Sequence, residues 1–358
     1  MANAIDMGRG GLQLAPEVHD SADDRIVSLR RVVEAAKSGR AREAFGPDDW
    51  THMADTIDRS MRASYLQTSF PLSYQTLGYR DDSRSFEAGS SYDVFGVRLA
   101  PEVALGADYP ANAAHDRGFT KTLKKYGWTW RLPWESWARD TADLGLLTAW
   151  PKSWGLSARY TMEFLFTSAY AANATYFTAG NGNYVEGAGT ALSETSLKTG
   201  LATITAGMTG PAGDVVPYYG PVYLVVPPAL RYTAQELVES DIWMGGNTKS
   251  AAKNSLKGAA TVVVNPLLPV IDRVSGTTAW YLFTDPSWDR PAFRYGHLRG
   301  AAEPEIFVRE SDARQLFGGG SDPFSGSLAN DSIVFKLRFT FGVNAWDTNG
   351  AYMSKGAA

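Results

Sequence analysis

The chain has no cysteine in 358 residues, so disulfides and thiolate metal sites are excluded and stability has to come from packing and association. Histidine is nearly as scarce. His19, His52, His115 and His297 are the whole set, and no two stand at a metal-ligand spacing such as i, i+4, so no metal centre is expected. Neither sign of charge dominates: 34 basic side chains face 38 acidic ones for a net −4, a balance that disfavours tight binding to nucleic acid or anionic lipid. Long apolar runs are missing too. None approaches the roughly 20 residues of a membrane span, and Met1 to Leu14, with Asp6, Arg9 and three glycines, lacks the apolar stretch of a secretory signal. The chain is therefore expected to be soluble, with no membrane partner. No G-x-S-x-G elbow, Walker loop or dinucleotide fingerprint occurs, so neither a catalytic residue nor a cofactor is expected. Gly318 to Gly320, with Ser321 and Asp322, is the nearest approach to a phosphate cradle, and it reads better as a flexible glycine-rich turn.

What the chain does have is aromatic surface. With 11 Trp, 17 Tyr and 16 Phe, and 44% hydrophobic residues, it belongs among ordered globular proteins. Trp128, Trp130, Trp134, Trp137, Trp150 and Trp154 crowd one region. One reading is a platform for stacking sugars; the stronger is burial against a neighbouring subunit, because aromatic anchors remove large areas from water at low entropy cost.

Periodicity predicts an α+β chain. A first helix is expected from Asp20 to about Ser38, with Ile26, Leu29, Val33 and Ala36 on one face. Arg25 to Glu43 carries six basic residues against two acidic ones, and Arg25, Arg30 and Arg31 are candidates either for nucleic-acid phosphates or for acidic patches on other chains. A second helix follows Pro47, from Asp48 or Asp49 to about Leu66. Ser69 to Arg139 is irregular and β-rich, with Phe119, Leu123 and the run Tyr126 to Leu132 in two long strands and Lys121, Lys124, Lys125 and Arg131 facing solvent. Two helices are predicted next, Thr141 to Ala149 and one opening at Pro151 and running to about Asn173, roughly 35 Å long. A helix opens at Ser193. Short apolar strands are then expected at Val222 to Val226, Thr261 to Val264, Thr278 to Phe283 and Glu305 to Val308, with a helix from Pro228 to Val238. In the last strand Ile333, Phe335, Leu337, Phe339 and Phe341 alternate with Val334, Lys336, Arg338 and Thr340, a period of two.

Several collinear blocks carry a resemblance. "TLKKYG" (Thr122 to Gly127), "RDTADLGLLTAWPKSWGLSARYTMEFLF" (Arg139 to Phe166), "ALSETSLKTGLATITAGMTGPAGDVVPYYGPVYLVVPPAL" (Ala191 to Leu230), "TAWYLFTDP" (Thr278 to Pro286) and "FKLRFTFGVNAWDTNGAY" (Phe335 to Tyr352) resemble the major capsid proteins of tailed bacteriophages, particularly the Mu-like head subunits. The resemblance covers about Pro101 to the carboxyl terminus. It implies the Hong Kong 97-type fold: an N-terminal helical arm (1–70), an extended loop with peripheral-lobe strands (71–138, the loop itself from about Gly96 to Trp137), a peripheral lobe with a spine helix (139–192), an axial lobe (193–310) and a return strand with the C-terminus (311–358).

By the same resemblance the function is expected to be self-assembly into hexamers and pentamers of an icosahedral shell around double-stranded DNA. Trp128, Trp130, Trp134, Trp137, Lys121, Lys124 and Lys125 are then the candidates for contact between subunits. Portal, scaffolding and decoration proteins are further implied partners, with only weak contact to packaged DNA, and assembly is expected in the host cytoplasm. Some relatives join a loop lysine to an asparagine of another subunit; here the tryptophan-rich interface makes noncovalent clamping sufficient. A start at Met1 sets the expectation that no scaffolding segment is removed from the front. Two alternatives remain, an encapsulin-like compartment for protein cargo and a carbohydrate-binding or hydrolytic β-rich enzyme.

Overall fold

A computed structural model of the protein describes residues 47–66, 72–95, 102–103, 105, 108, 115–133, 145–171, 173–206, 218–243, 252–287, 291–309, 312 and 327–356. The helix expected at Asp20, and with it Arg25, Arg30 and Arg31, lies outside the described residues, as do Trp134, Trp137 and Gly318 to Gly320. The chain divides into two compact units, one taking the described residues within 1–62, 131–153 and 308–335, the other those within 63–130, 154–307 and 336–358.

The smaller unit holds most of α1 (Pro47–Leu66), where Pro47 occupies the first turn and needs no hydrogen-bond donor. Arg59 and Arg62 pair with Asp55 and Asp58 one turn earlier, at 2.9 and 2.7 Å, while Ile57 and Met61 are buried. These exposed pairs are worth roughly 0.3–0.5 kcal/mol each, so the buried side chains dominate. Trp150 packs on Phe335 in the same unit, ring centroids 4.8 Å apart.

The larger unit takes the end of α1, α2 (Ser73–Leu77), β1 (Gly78–Arg80), β2 (Gly89–Phe95), β3 (His115–Lys121) and most of β4 (Lys124–Pro133). The long helix α3 is Gly145–Tyr170, one helix where two were expected. Pro151 lies inside it, so the Leu147 carbonyl loses its helical donor. Burial of Trp150 and Pro151 on that turn offsets the loss, and the proline does not begin the helix. There follow β5 (Tyr184–Val185), α4 (Glu194–Ala206), β6 (Val222–Val226), α5 (Arg231–Glu239), β7 (Ile242–Trp243), β8 (Ala252–Lys253), β9 (Thr261–Val264), β10 (Trp280–Thr284), β11 (Phe293–Gly296), β12 (Glu305–Val308), β13 (Ser332–Ala345) and β14 (Ala351–Ser354).

Two five-stranded sheets result. One runs β1-β11-β13-β12, with β4 also on β13; the other runs β5-β14-β10-β6-β9. Strand partners cut across the boundaries drawn from the sequence: β11 and β12, within 193–310, join β13, while β14, within 311–358, pairs antiparallel with β10. A short apolar run shows that a strand is buried but not which strand it pairs with. The period of two in β13 holds for Ile333, Phe335, Leu337, Phe339 and Phe341, all buried. Thr340 is buried on the other face because its Oγ1 accepts the Leu298 N–H at 3.0 Å and donates to the Ala301 carbonyl at 3.1 Å.

Helix α3 is the centre of the larger unit. Ala158, Met162, Phe166 and Tyr170 recur every four residues and are each fully buried. Phe166 meets Phe293 of the first sheet edge-on at 6.1 Å, and Tyr170 meets Tyr281 and Phe283 of the second, both at 5.2 Å. On the second sheet, α4 rests Gly200 against Leu282 and Trp280, where a methyl group would stand 2.9 Å from Leu282 Cδ1. A polar seam runs beside the α3 stripe. Asn265 Nδ2 donates to Thr167 Oγ1 and Tyr170 OH, both at 2.8 Å, and Glu163, only 3% exposed, is hydrogen bonded to Ser73 Oγ and accepts the Tyr74 N–H at 3.3 Å.

Burial pushes the Glu163 carboxyl from 4.5 up to about 7 against the pull of its hydrogen bonds to Ser73 and Tyr74. An acid whose folded pKa is raised stabilises fully below its unfolded value, and that contribution is lost as pH rises through the folded value. Urea unfolding of the full-length chain should therefore show a loss of about 3 kcal/mol between about pH 4.5 and pH 8, a slope that Glu163→Gln flattens. Parallel curves for the two proteins would refute the assignment.

Candidate assembly surface

The hairpin of β2 and β3 pairs over seven positions, from Gly89↔Lys121 to Phe95↔His115, and joins no other strand among the described residues. It begins earlier than Gly96, the start expected for the extended loop. A two-stranded ribbon buries too little to be stable alone, and among the described residues the outer edge of each strand is left without a partner strand. Leu105, in the stretch between the strands, is fully exposed.

The base of the hairpin, in contrast, is tied down. Thr122 gives its N–H and its Oγ1 proton to Asn344 Oδ1, both at 3.0 Å, and Leu123 is buried. Gly342 and Gly127 let backbone meet backbone: a methyl group on Gly342 would stand 2.2 Å from the Thr122 carbonyl oxygen, and one on Gly127 2.1 Å from that of Leu337. Tyr126 then stacks on Phe339, centroids 5.7 Å apart. Beside this clamp Lys121 Nζ lies 2.7 Å from Asp81 Oδ1, and Arg294 approaches the other oxygen at 3.8 Å. The Arg294 guanidinium also covers Trp346 at 3.4 Å and Tyr79 at 5.1 Å. Arg80 pairs with Asp82 at 2.9 Å, and although burial alone would raise the Asp82 carboxyl, Arg80 and the His297 N–H hold it below its ordinary value.

Of the candidate contact residues, the structure sets Lys121 apart, engaged with Asp81 inside its own chain, its side chain 17% exposed. Lys124, Lys125 and Trp128 stand exposed on β4, Trp128 at 60%, and Trp130 is half-buried. Lys124, Lys125 and Trp128 thus lie within five consecutive residues of β4, next to the hairpin base. Sequence reasoning missed the Thr122–Asn344 clamp, whose halves are 222 positions apart, and the exposed Tyr219, Tyr232 and Ile242. No local signal could have found the clamp; the "YYGP" run could have pointed to Tyr219.

A groove of about 550 Å³ lies elsewhere in the larger unit, lined among others by Phe177, Tyr184, Glu186, Asp272, Met353 and Lys355. Its charged groups are committed to structure. Asp272 Oδ1 accepts the N–H groups of Val274 and Ser275, both at 3.0 Å, and Glu186 accepts from Tyr184 at 2.7 Å and Lys355 at 3.2 Å. Among the described residues no cluster of His, Asp or Glu is arranged to hold a metal ion, and no helix is long and apolar enough to cross a membrane.

Gly127→Ala drives a methyl group into the Leu337 carbonyl and should cost about 2 kcal/mol or more. Thermal unfolding together with limited proteolysis should show a lower Tm and faster cleavage between residues 89 and 121. An unchanged melting curve and cleavage pattern would mean that the close approach does not hold the hairpin.

A family model described as phage capsid protein matches residues 118–354, more than half of the chain. Among solved structures, the capsid of cyanophage P-SCSP1u is 13% identical with a TM-score of 0.50, covering 80% of this chain and 89% of that one. A chain of Gordonia phage Cozz is 14% identical with a TM-score of 0.49, covering 82% and 88%. A virus-like particle from Pyrococcus furiosus is 10% identical with a TM-score of 0.41, covering 84% and 98%. No curated relative matches the chain.

Proposed function

The chain belongs to the phage capsid protein family and is a shell subunit with the Hong Kong 97-type α+β fold, and we propose that its β2–β3 hairpin and the adjoining strip of Lys124, Lys125 and Trp128 clamp a neighbouring copy to build that shell. The observation that supports this most is the contrast within the hairpin. Its base is held by Thr122, Asn344, Gly127 and Gly342, while its outer edges pair with no other strand among the described residues. Such an edge gives a neighbour register through backbone pairing and specificity through alternate side chains. Trp128 supplies apolar area at the same place, and large aromatic side chains dominate interface energies.

In this reading the contacts close into rings, hexamers and pentamers, and these close into an icosahedral shell around double-stranded DNA. Trp130, Trp134 and Trp137 extend the clamp, while Lys121 serves its own subunit through Asp81. Within residues 71–138 the extended loop reaches across to the neighbour, while its strands belong to the peripheral lobe; 139–192 carry the spine, and 193–310 lie towards the capsomer centre. Arg25, Arg30 and Arg31 give weak, salt-sensitive contact with DNA. The subunit works by tiling, without catalysis. Portal, scaffolding and decoration proteins are its other partners, and assembly takes place in the host cytoplasm.

Trp128→Ala, alone and with Lys124→Glu and Lys125→Glu, tests the clamp. Losing one central aromatic anchor costs about 2 kcal/mol per contact, so the single variant should raise the assembly threshold more than tenfold and the triple variant further. Sedimentation velocity and negative-stain microscopy read the shell fraction, and circular dichroism reports whether the subunit is still folded. Folded variants that form shells at the wild-type threshold would remove this strip from the interface.

A further inference from the structure

Helix α3 buries two ionisable side chains one turn apart, and neither has a partner of opposite charge among the described residues. Arg159 is 5% exposed and Glu163 is 3% exposed. The Arg159 Nε–H donates to the Tyr65 carbonyl near the end of α1, and the guanidinium lies over the Tyr65 ring, 4.6 Å from its centroid. Its Nη1 is buried with no hydrogen-bond partner. Glu163 points to the start of α2 and to Asn265: Ser73 Oγ is hydrogen bonded to Oε1, Oε2 accepts the Tyr74 N–H, and Asn265 Nδ2 reaches Ser73 Oγ at 3.4 Å. A buried guanidinium with an idle N–H and a buried carboxyl without a cation are each costly, and on a helix such residues are about 5–6 Å apart at Cβ.

We propose that Arg159 and Glu163 form a proton-operated switch on α3. With Glu163 protonated, the guanidinium stays on the Tyr65 carbonyl and ring. When the proton leaves to bulk water, the guanidinium turns along the helix to the carboxylate, gains a charge-assisted hydrogen bond there, and lets go of the end of α1. The idle Nη1 is the donor that such a pairing uses.

The surrounding groups leave the charge change to Glu163. Tyr65 of α1, Tyr74 of α2, Tyr170 of α3 and Tyr295 of β11 are phenols that burial raises above their ordinary value, so they stay neutral through the range in which Glu163 titrates. Exposed Glu303, before β12, acts on Tyr65 through space. Ser73, Thr167 and Asn265 are uncharged. The state of the switch therefore sets how firmly α1 is held at Tyr65, a property distinct from the subunit clamp and independent of it.

Hydrogen exchange of the full-length chain tests this, read by mass spectrometry on peptides covering residues 57–66 at about pH 5.5 and about pH 8.5, after correction for intrinsic rates. Protection at the end of α1 should fall about tenfold or more at the higher pH. Glu163→Gln, which cannot ionise, should keep protection at both values, and Arg159→Met should lack it at both. Absence of a step in the wild-type chain overturns the proposal without any variant, as does a step that survives in Glu163→Gln or Arg159→Met. Changes confined to β2 and β3 would bear on the clamp and would likewise overturn the switch.

Discussion

The buried stripe of α3 is the constraint from which the larger unit is built. Ala158, Met162, Phe166 and Tyr170 are fully buried at four-residue spacing, and their rings touch one sheet at Phe293 and the other at Tyr281 and Phe283. Each fully buried large side chain is worth about 1.5–3 kcal/mol, against surface ion pairs worth a fraction of that. With one helix serving two sheets, neither sheet is placed independently of it. The position of β13, and so of the clamp under the hairpin, follows from that packing.

A shell subunit has to be finished where it meets itself and unfinished where it meets another copy. In the larger unit the finished part is dense: glycines at 127 and 342 bring strands closer than any side chain would permit, and Asn344 answers the backbone of Thr122 on both sides. The hairpin next to it joins no other strand among the described residues. Lys121 shows how near the division runs, since it is the last residue of β3 and is held by Asp81, while Lys124 and Lys125, a few positions on, are exposed. Lysines that look alike along the chain are thus assigned to different tasks by a single carboxylate.

Polar groups inside the larger unit are used sparingly but at junctions. Asn265 joins Thr167 and Tyr170, and Glu163 joins α3 to the start of α2. A hydrogen-bonded seam of this kind adds direction that apolar packing lacks. Its cost is concentrated in Glu163, which pairs with no cation among the described residues, and in Arg159, which donates to Tyr65 from a site with 5% exposure.

The sequence by itself determined the local elements and the fold family. The alternation in β13 and the helix that opens at Pro47 are written in side-chain periodicity, and the strands at Val222 to Val226 and Thr261 to Val264 in short apolar runs, local signals that backbone geometry converts directly into structure. Collinear motifs did the rest, and the match over residues 118–354 bears out the family. Pro151 misled because a local rule about helix starts gave way to burial of the turn around it. Only the tertiary structure decided that β11 and β12 belong with β13, that β14 belongs with β10, that Lys121 faces Asp81, and that Arg159 and Glu163 are buried without each other. Those outcomes depend on pairs of residues tens to hundreds of positions apart, whose meeting is set by packing energy summed over the whole core and leaves no mark in the pattern around either residue.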